Sequence, residues 1–535
     1  MAELTIAAEP LGAAAPPVPD KRPTMAWSKA RPWLIYATIL VLAIIIRLPT
    51  FGDPAPDFDE QLYHLAGLEM LKGHMPYIAV WDRKPLGLFA IYALAALLSG
   101  GLPIGYQIFA ALSATLGACQ VYTIGRRFGD AFASLVAATI YLIAFPLFAA
   151  PSGQSEVFYI PLLLAMLQLT IRMWESDTTD KALRPALVAM LLGGLAVQIK
   201  YTVLPQCSFF GLVALWRLWR LGTRPAALVK HAATFAALGL APTVLVAAGY
   251  AVTGHFHEFF YANFQSIFAR GRLHGPMADS YIRWILYGSS WLWVMTVIGI
   301  GLVVSGIRPA RFGYWLVAGF VCASLVAMLM VGNIYVHYFI PAAAGLAMLS
   351  VPAFTKGPLG RLLAVIAILL AIGYSHFDNL VFRGRVDRAA IPHIAEELRP
   401  YLGHKRDFLF VYDGPMALYQ ATNSCLPTRF IFPDHLNNEL ERNSIGVDTG
   451  AETNRLFDAR PGAVITTSLI AVPRRNEVTA KIVHDRLAQG YTRIDNVYFP
   501  PRILELFVRN DMVPPGTVPA PDPMAGKTAS PRLTP

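Results

Sequence analysis

The sequence predicts a polytopic α-helical membrane protein with a small α/β domain after its last span. Three observations carry this. Of the 535 residues, 55% are hydrophobic and only 15% are charged, where a soluble domain is nearer a quarter charged. Mean hydropathy is +0.47. Apolar runs long enough to span a bilayer recur down the chain until about residue 376, and after it the pattern changes to short strand-like runs. The net charge of +10 comes from basic residues scattered between apolar runs, so no nucleic-acid face is expected.

Residues 1–32 are Ala/Pro-rich and patternless, and are expected to be a disordered cytoplasmic N-terminus. The first apolar run, WLIYATILVLAIIIRL, has no small-residue cleavage site after it and reads as a retained anchor. Orientation follows the basic residues. Lys21, Arg22, Lys29 and Arg31 precede the first span. Arg126-Arg127, Lys181/Arg184, the run from Arg217 to Lys230, Arg308/Arg311 and Lys356/Arg361 follow later ones. All fall on the cytoplasmic side if LGLFAIYALAALLS (86–99) does not cross. That run is shorter than the roughly 17–25 residues a span needs, so it is expected to be a juxtamembrane or re-entrant helix.

About eleven spans remain by length and apolarity: 33–49, 104–125, 131–150, 157–174, 185–200, 202–220, 232–252, 284–306, 312–331, 336–353 and 360–376. The odd count places the C-terminal region outside. Residues 33–376 form the membrane domain, with an external loop at 50–103, and 377–510 the α/β domain. In the latter, FLFVYDG, TRFIFP, GAVITTS and RILELFVR read as strands, and IPHIAEELRPYL and NEVTAKIVHDRLAQG as helices. The tail 511–535, DMVPPGTVPAPDPMAGKTASPRLTP, is expected to be disordered. The four cysteines lack metal-ligand spacing and read as small core residues, without a disulfide framework.

This threading gathers the residues that sit worst in lipid on the external face. The stretch PAPDFDEQLYHLAGLEMLKGHMPYIAVWDRKPLG, 54–87, leaves the first span with Asp57, Asp59 and Glu60 and closes on Lys84. Acids at a helix start also suit the helix dipole, and Lys84 alone would pass for a snorkelling lysine. Lys200 is harder to dismiss. It interrupts the apolar run GGLAVQIKYTVLP, and a buried lysine needs an anion or must lose its proton. Two lysines with one or two carboxylates suit a phosphate leaving group and a hydroxyl nucleophile whose proton a carboxylate removes.

DE with the following Tyr63, then GHMPY and DRKPLG, resembles the first external loop of the GT-C superfamily glycosyltransferases, in particular the bacterial protein-mannosyltransferase and aminoarabinose-transferase group. SGQSEVFYIPLLLA, GGLAVQIKYTVLP and NIYVHYFIPAAAGLAML resemble later motifs in the same order, so the resemblance covers about residues 33–353. It implies a GT-C type fold with an extracytoplasmic active site in a bacterial inner membrane. It also implies an inverting transfer of a sugar from a polyprenyl-phosphate-linked donor to an extracytoplasmic acceptor: protein, lipid A or surface polysaccharide. By position, Asp59 would be the catalytic base, Glu60 its neighbour and Glu156 a second carboxylate. Lys84 and Lys200 would hold the donor phosphate, and Tyr63, His337 and Tyr338 match further motif positions. Some relatives carry an arginine three residues after the aspartate; here that position is Leu62. His64, Arg270, Arg272 and His274 are the candidates to replace it.

No cofactor and no catalytic metal are expected, since lysines can neutralise a monophosphate. His255, His257 and His274 read as interfacial. The alternative function is a transporter or flippase of a lipid-linked saccharide. It would call for inverted repeats or broken helices near the midplane, which the two halves do not show. A non-catalytic assembly protein would have no need of Asp59, Lys84 and Lys200 together.

Overall fold

The computed structural model describes residues 32–308, 311–330, 332–355, 357–403, 406–468 and 472–523. The N-terminal stretch 1–31, Lys356 and residues 524–535 of the tail, with the disorder expected of the termini, lie outside the described residues.

Every predicted span is a helix. In chain order these are α1 (Pro32–Arg47), then α2 (Phe58–Leu71) and α3 (Leu86–Ser99) in the loop, α4 (Ile104–Gly125), α5 (Ala131–Leu147), α6 (Ser155–Trp174), α7 (Thr179–Val197), α8 (Leu204–Arg220) and α9 (Pro225–Val252). Four more follow at Pro276–Val304, Phe312–Met330, Ile340–Leu349 and Gly357–Tyr374. Among the described residues, seven helices are long and apolar enough to cross a membrane, and Leu86–Ser99, Ala131–Leu147 and Val336–Leu349 are shorter apolar segments. Polar caps set several starts: Asp130 accepts from the Ala133 amide at 2.9 Å, and Thr178 caps α7. The outward faces are oily, with Leu245 72% and Val252 88% exposed. Apolar surface on that scale belongs against lipid rather than water. Two of the four expected core cysteines are corrected here: Cys322 is exposed, because it sits on the outward face of its helix, and Cys425 is exposed in a loop of the C-terminal region.

α2 and α3 form a hairpin beside the bundle. A Cβ on Gly67 would lie 2.7 Å from the Ala93 amide nitrogen, so the two backbones touch there and only glycine fits. Leu62, Leu65 and Ala66 are buried by this packing. The start of α3 is pressed equally hard onto the end of α7, since a Cβ on Gly87 would lie 2.6 Å from the Gln198 carbonyl oxygen. That contact brings the Lys84-Pro85 turn beside Lys200.

Beyond the last span, helix Phe377–Leu398 leads into a four-stranded sheet of order β1-β2-β4-β3, with β1 Leu409–Val411, β2 Ala463–Thr467, β3 Tyr491–Phe499 and β4 Arg502–Arg509. β1 pairs parallel with β2, and the other pairs are antiparallel. Three predicted strands appear, and so do both predicted helices, the second at Glu477–Gly490 capped by Asn476. TRFIFP is not a strand. It is a connecting segment whose Phe430 and Ile431 are buried and whose Arg429 carbonyl accepts from the Trp81 amide at 2.8 Å. Its hydrophobicity serves docking onto the segment between α2 and α3. β3 was not foreseen, because YTRIDNVYF is half-buried along most of its length and lacks a clean apolar run. The first part of the Pro-rich tail lies along β3, with the Ala520 amide donating to the Arg493 carbonyl at 2.8 Å.

Candidate functional site

Five separate segments meet at one end of the helical bundle. The first is the start of α2. Asp57 is its N-cap, accepting from the Asp59 amide at 2.9 Å. The cap exposes Asp59 at the helix mouth, 27% accessible. Gln154, just before α6, donates to both carboxylates, at 3.0 Å to Asp57 and 3.2 Å to Asp59. Lys84, at the mouth of α3, stands 3.9 Å from Asp59 and 3.9 Å from Asp82. It also lies 5.2 Å from the centre of the Tyr63 ring. An ammonium 3.9 Å from two carboxylates is held by their field without a direct hydrogen bond to either.

Beneath this open pair lies a buried one. Glu156, in the first turn of α6, pairs with Lys200, which follows α7. Ser155 Oγ donates to the other Glu156 oxygen at 3.0 Å. Lys200 Nζ sits 4.1 Å from the centre of the Tyr338 ring, a cation–π contact strengthened by burial. Tyr335, His337 and Tyr338 form an aromatic wall around the 3₁₀ turn Val336–Phe339, with His337 and Tyr338 centroids 4.8 Å apart.

Burial pushes the Asp59 carboxyl up, but the Lys84 ammonium and the other cations of the site more than offset this and hold it down at about 2. Asp57 moves the other way, to about 7, from burial and the adjacent Asp59 charge. Glu60 is raised to about 8, first by burial and then by Asp57. Neither of its oxygens makes a hydrogen bond of normal geometry. The Gly153 amide, the Ser152 hydroxyl and Arg47 only partly favour its charged form. Lys84 loses some basicity to burial, yet Asp59 and then Asp82 leave it raised above an ordinary lysine. The result is two neighbouring acids with opposite protonation states at neutral pH, Asp59 ionised and Glu60 largely neutral.

The remaining sequence candidates separate. Tyr63 is buried against Tyr92 and Phe89. His64 turns to the opposite side of α2, with Nε2 3.1 Å from the Gly101 carbonyl oxygen, and burial lowers it to about 4. Arg270 is committed elsewhere, pairing with Glu441 at 2.6 Å and donating to Tyr335 OH at 3.0 Å. Arg272 and His274 are exposed, as is His257, and His274 Nδ1 rests 2.9 Å from the Arg272 carbonyl oxygen. Sequence reasoning passed over Gln154 and Asp82, although both lie inside the quoted SGQSE and DRKPLG motifs.

The notable cavities lie off this cluster. One of about 90 Å³ sits between Trp81 and Tyr261, and one of about 580 Å³ lies on the sheet between β4 and helix Glu477–Gly490. Among the described residues, one group has metal-ligand geometry: His393 and Glu397 of helix Phe377–Leu398 with Asp495 of β3. None of these three is on an element of the cluster.

No family model matches the sequence, and no curated protein matches it. Solved structures share its fold. ArnT from Cupriavidus metallidurans bound to undecaprenyl phosphate superposes with a TM-score of 0.63 at 13% identity, covering 90% of this chain and 99% of that one. The apo state of the same protein gives a TM-score of 0.62 at 14% identity, covering 90% and 98%. The chain therefore has an ArnT-like fold.

Proposed function

We propose that this protein is an integral-membrane glycosyltransferase of the bacterial inner membrane. It would move a sugar from a polyprenyl-phosphate-linked donor to an extracytoplasmic acceptor, with residues 33–376 as the catalytic unit. The observation that carries this is the convergence of Asp59, Lys84, Glu156 and Lys200, from four distant segments, at one end of an ArnT-like bundle. Its neighbour in that fold was solved with undecaprenyl phosphate bound.

In the proposed reaction an acceptor hydroxyl attacks the anomeric carbon. Asp59 takes the hydroxyl proton as the new C–O bond forms. The bond from that carbon to the phosphate oxygen breaks, and its electron pair leaves with the phosphate. Lys84 and Lys200 match the charge that develops there, the role a cation plays at any departing phosphate. A single displacement inverts the anomeric centre. Donor phosphate drawing Lys84 away from Asp59 also removes the main influence that depresses the Asp59 pKa. Asp59 thus becomes a better base when the donor is in place.

The test is incubation of purified protein with polyprenyl-phosphate sugars and an extract of envelope acceptors. Protein-dependent release of polyprenyl phosphate with sugar transfer is expected. Movement of intact donor across proteoliposomes without cleavage would favour the transporter instead.

Lys84→Met should weaken donor binding by roughly 1.5–3 kcal/mol, the loss of one charge-assisted hydrogen bond. Titration of the variant with polyprenyl phosphate checks this, and wild-type affinity would leave Lys84 a snorkelling lysine. For orientation, single cysteines at Thr178 and Asn443, both exposed, should label from the cytoplasmic and the external side respectively. Labelling of both from one side would overturn the threading.

A further inference from the structure

Among the contacts of the α/β region with the loops of the site is one buried carboxylate. Glu441, in the short turn Glu439–Glu441, is 2% exposed and divides its two oxygens between two arginines. Oε2 accepts from Arg83 at 2.6 Å, and Oε1 pairs with Arg270 at 2.6 Å. Each arginine then reaches a different part of the candidate site. Arg83 is the covalent neighbour of Lys84, and it also donates to Ser266 at 3.0 Å and Ser444 at 2.6 Å. Arg270 donates to Tyr335 OH at 3.0 Å. Tyr335 stacks on His337 with centroids 5.9 Å apart, and sets Tyr338 edge-on at 5.6 Å. Tyr338 is the ring against which Lys200 rests.

We propose that Glu441 is a positioning residue for the donor site. It clamps Arg83 and Arg270 so that Lys84 on one side and the Tyr335–Tyr338 wall around Lys200 on the other keep their spacing. The clamp makes the α/β region a structural part of the donor site, whatever else that region recognises. This rests on the glycosyltransferase reading for its substrate, but its geometry stands apart from it.

Physical chemistry favours a carboxylate in that place. Burial opposes its charge, yet Arg83 and then Arg270 hold the Glu441 carboxyl down at about 2. Its charge is therefore constant across the range in which the enzyme would work. A glutamine has the same shape but offers one acceptor oxygen and an amide that repels a guanidinium. One arginine must then let go. Two neighbouring contacts already tether the same loops, the Gly271 amide to the Leu440 carbonyl at 2.9 Å and the Trp81 amide to the Arg429 carbonyl at 2.8 Å. They are backbone contacts that E441Q leaves in place, so the folded state has support without the charge.

The experiment compares full-length wild type, Glu441→Gln and Glu441→Asp in two assays. The first titrates undecaprenyl phosphate and measures KM and kcat with a polyprenyl-phosphate sugar. For E441Q the donor KM and the lipid-phosphate Kd should rise about tenfold or more, with kcat within about threefold, the size expected when a charge-assisted contact slips. E441D keeps the charge and should recover part of the loss. The second assay needs no donor: it follows acylation of Lys84 by an amine reagent, read by peptide mass spectrometry. Release of Arg83 should change the Lys84 rate several-fold in E441Q and less in E441D, which also serves if E441Q is poorly folded. Unchanged Lys84 reactivity together with unchanged donor affinity overturns the clamp, even if the melting temperature falls. A wild type that fails to bind polyprenyl phosphate, with Lys84 reactivity still altered in E441Q, overturns the glycosyltransferase reading and leaves the clamp standing.

Discussion

Asp59→Asn removes nearly all sugar transfer, about 10²–10⁴-fold for loss of a general base, while the protein stays folded and still binds lipid phosphate. The amide keeps the side chain's shape and can accept from Gln154, which now reaches Asp59 at 3.2 Å. It has no affinity for the acceptor proton. The neighbouring acids rank below it for structural reasons. Glu60 is largely neutral at pH 7, its carboxyl raised to about 8 by burial and by Asp57. Glutamine copies that neutral form, so Glu60→Gln should cost much less activity. It should also help stability. A carboxyl whose folded pKa is raised costs folding free energy once pH exceeds its ordinary value near 4.3, and the cost grows until about pH 8. The variant should therefore melt higher than wild type at pH 7–8 and alike near pH 4. Asp57→Asn keeps an acceptor for the Asp59 amide and should cost least. The readout is turnover of each purified variant with a polyprenyl-phosphate sugar, beside its melting curve. Near wild-type turnover in Asp59→Asn ends its assignment as base and turns attention to Glu156.

Lys200→Met alone should destabilise the protein by roughly 3–5 kcal/mol, the usual result of leaving one member of a buried ion pair uncompensated. Glu156 is fully buried and pairs directly with Lys200, and without it no cation is in direct contact with the carboxylate among the described residues, though Ser155 still donates to one oxygen. Glu156→Gln with Lys200→Met removes both charges and should restore most of that stability. If Lys200 serves only the fold, the double variant also regains activity. If it serves the donor phosphate, the double variant is stable and still binds lipid phosphate poorly. Thermal melts and lipid-phosphate titrations of the three variants separate the outcomes. A double variant with wild-type affinity would reduce Lys200 to a structural partner of Glu156.

Much of this protein is legible in its sequence because lipid imposes a simple rule. Every backbone polar group in the hydrocarbon must be satisfied within its own segment, so long apolar runs become helices. All eleven predicted segments are helical, and the short run 86–99 is a separate short apolar helix. The acids and lysines of the site stood out because charge beside or within apolar runs is costly and therefore rare. Their convergence is another matter. Asp59 and Lys84 are 25 positions apart, and Glu156 and Lys200 are 44 apart. Asp59 and Lys84 share a site where Gly67 lets α2 touch α3, Gly87 sets α3 against the end of α7, and the packing of α6 on α7 joins Glu156 to Lys200. The two acids DE look alike as letters. Only the folded environment drives Asp59 down beside Lys84 and Glu60 up in a dry recess. Arg270 suited a phosphate contact as a residue type, but the tertiary structure pairs it with Glu441. Glu441 itself sits in HLNNELERNS, a polar stretch with no periodic signal. Its role depends on arginines 358 and 171 positions away, and a long-range pairing of charges leaves no local pattern to read.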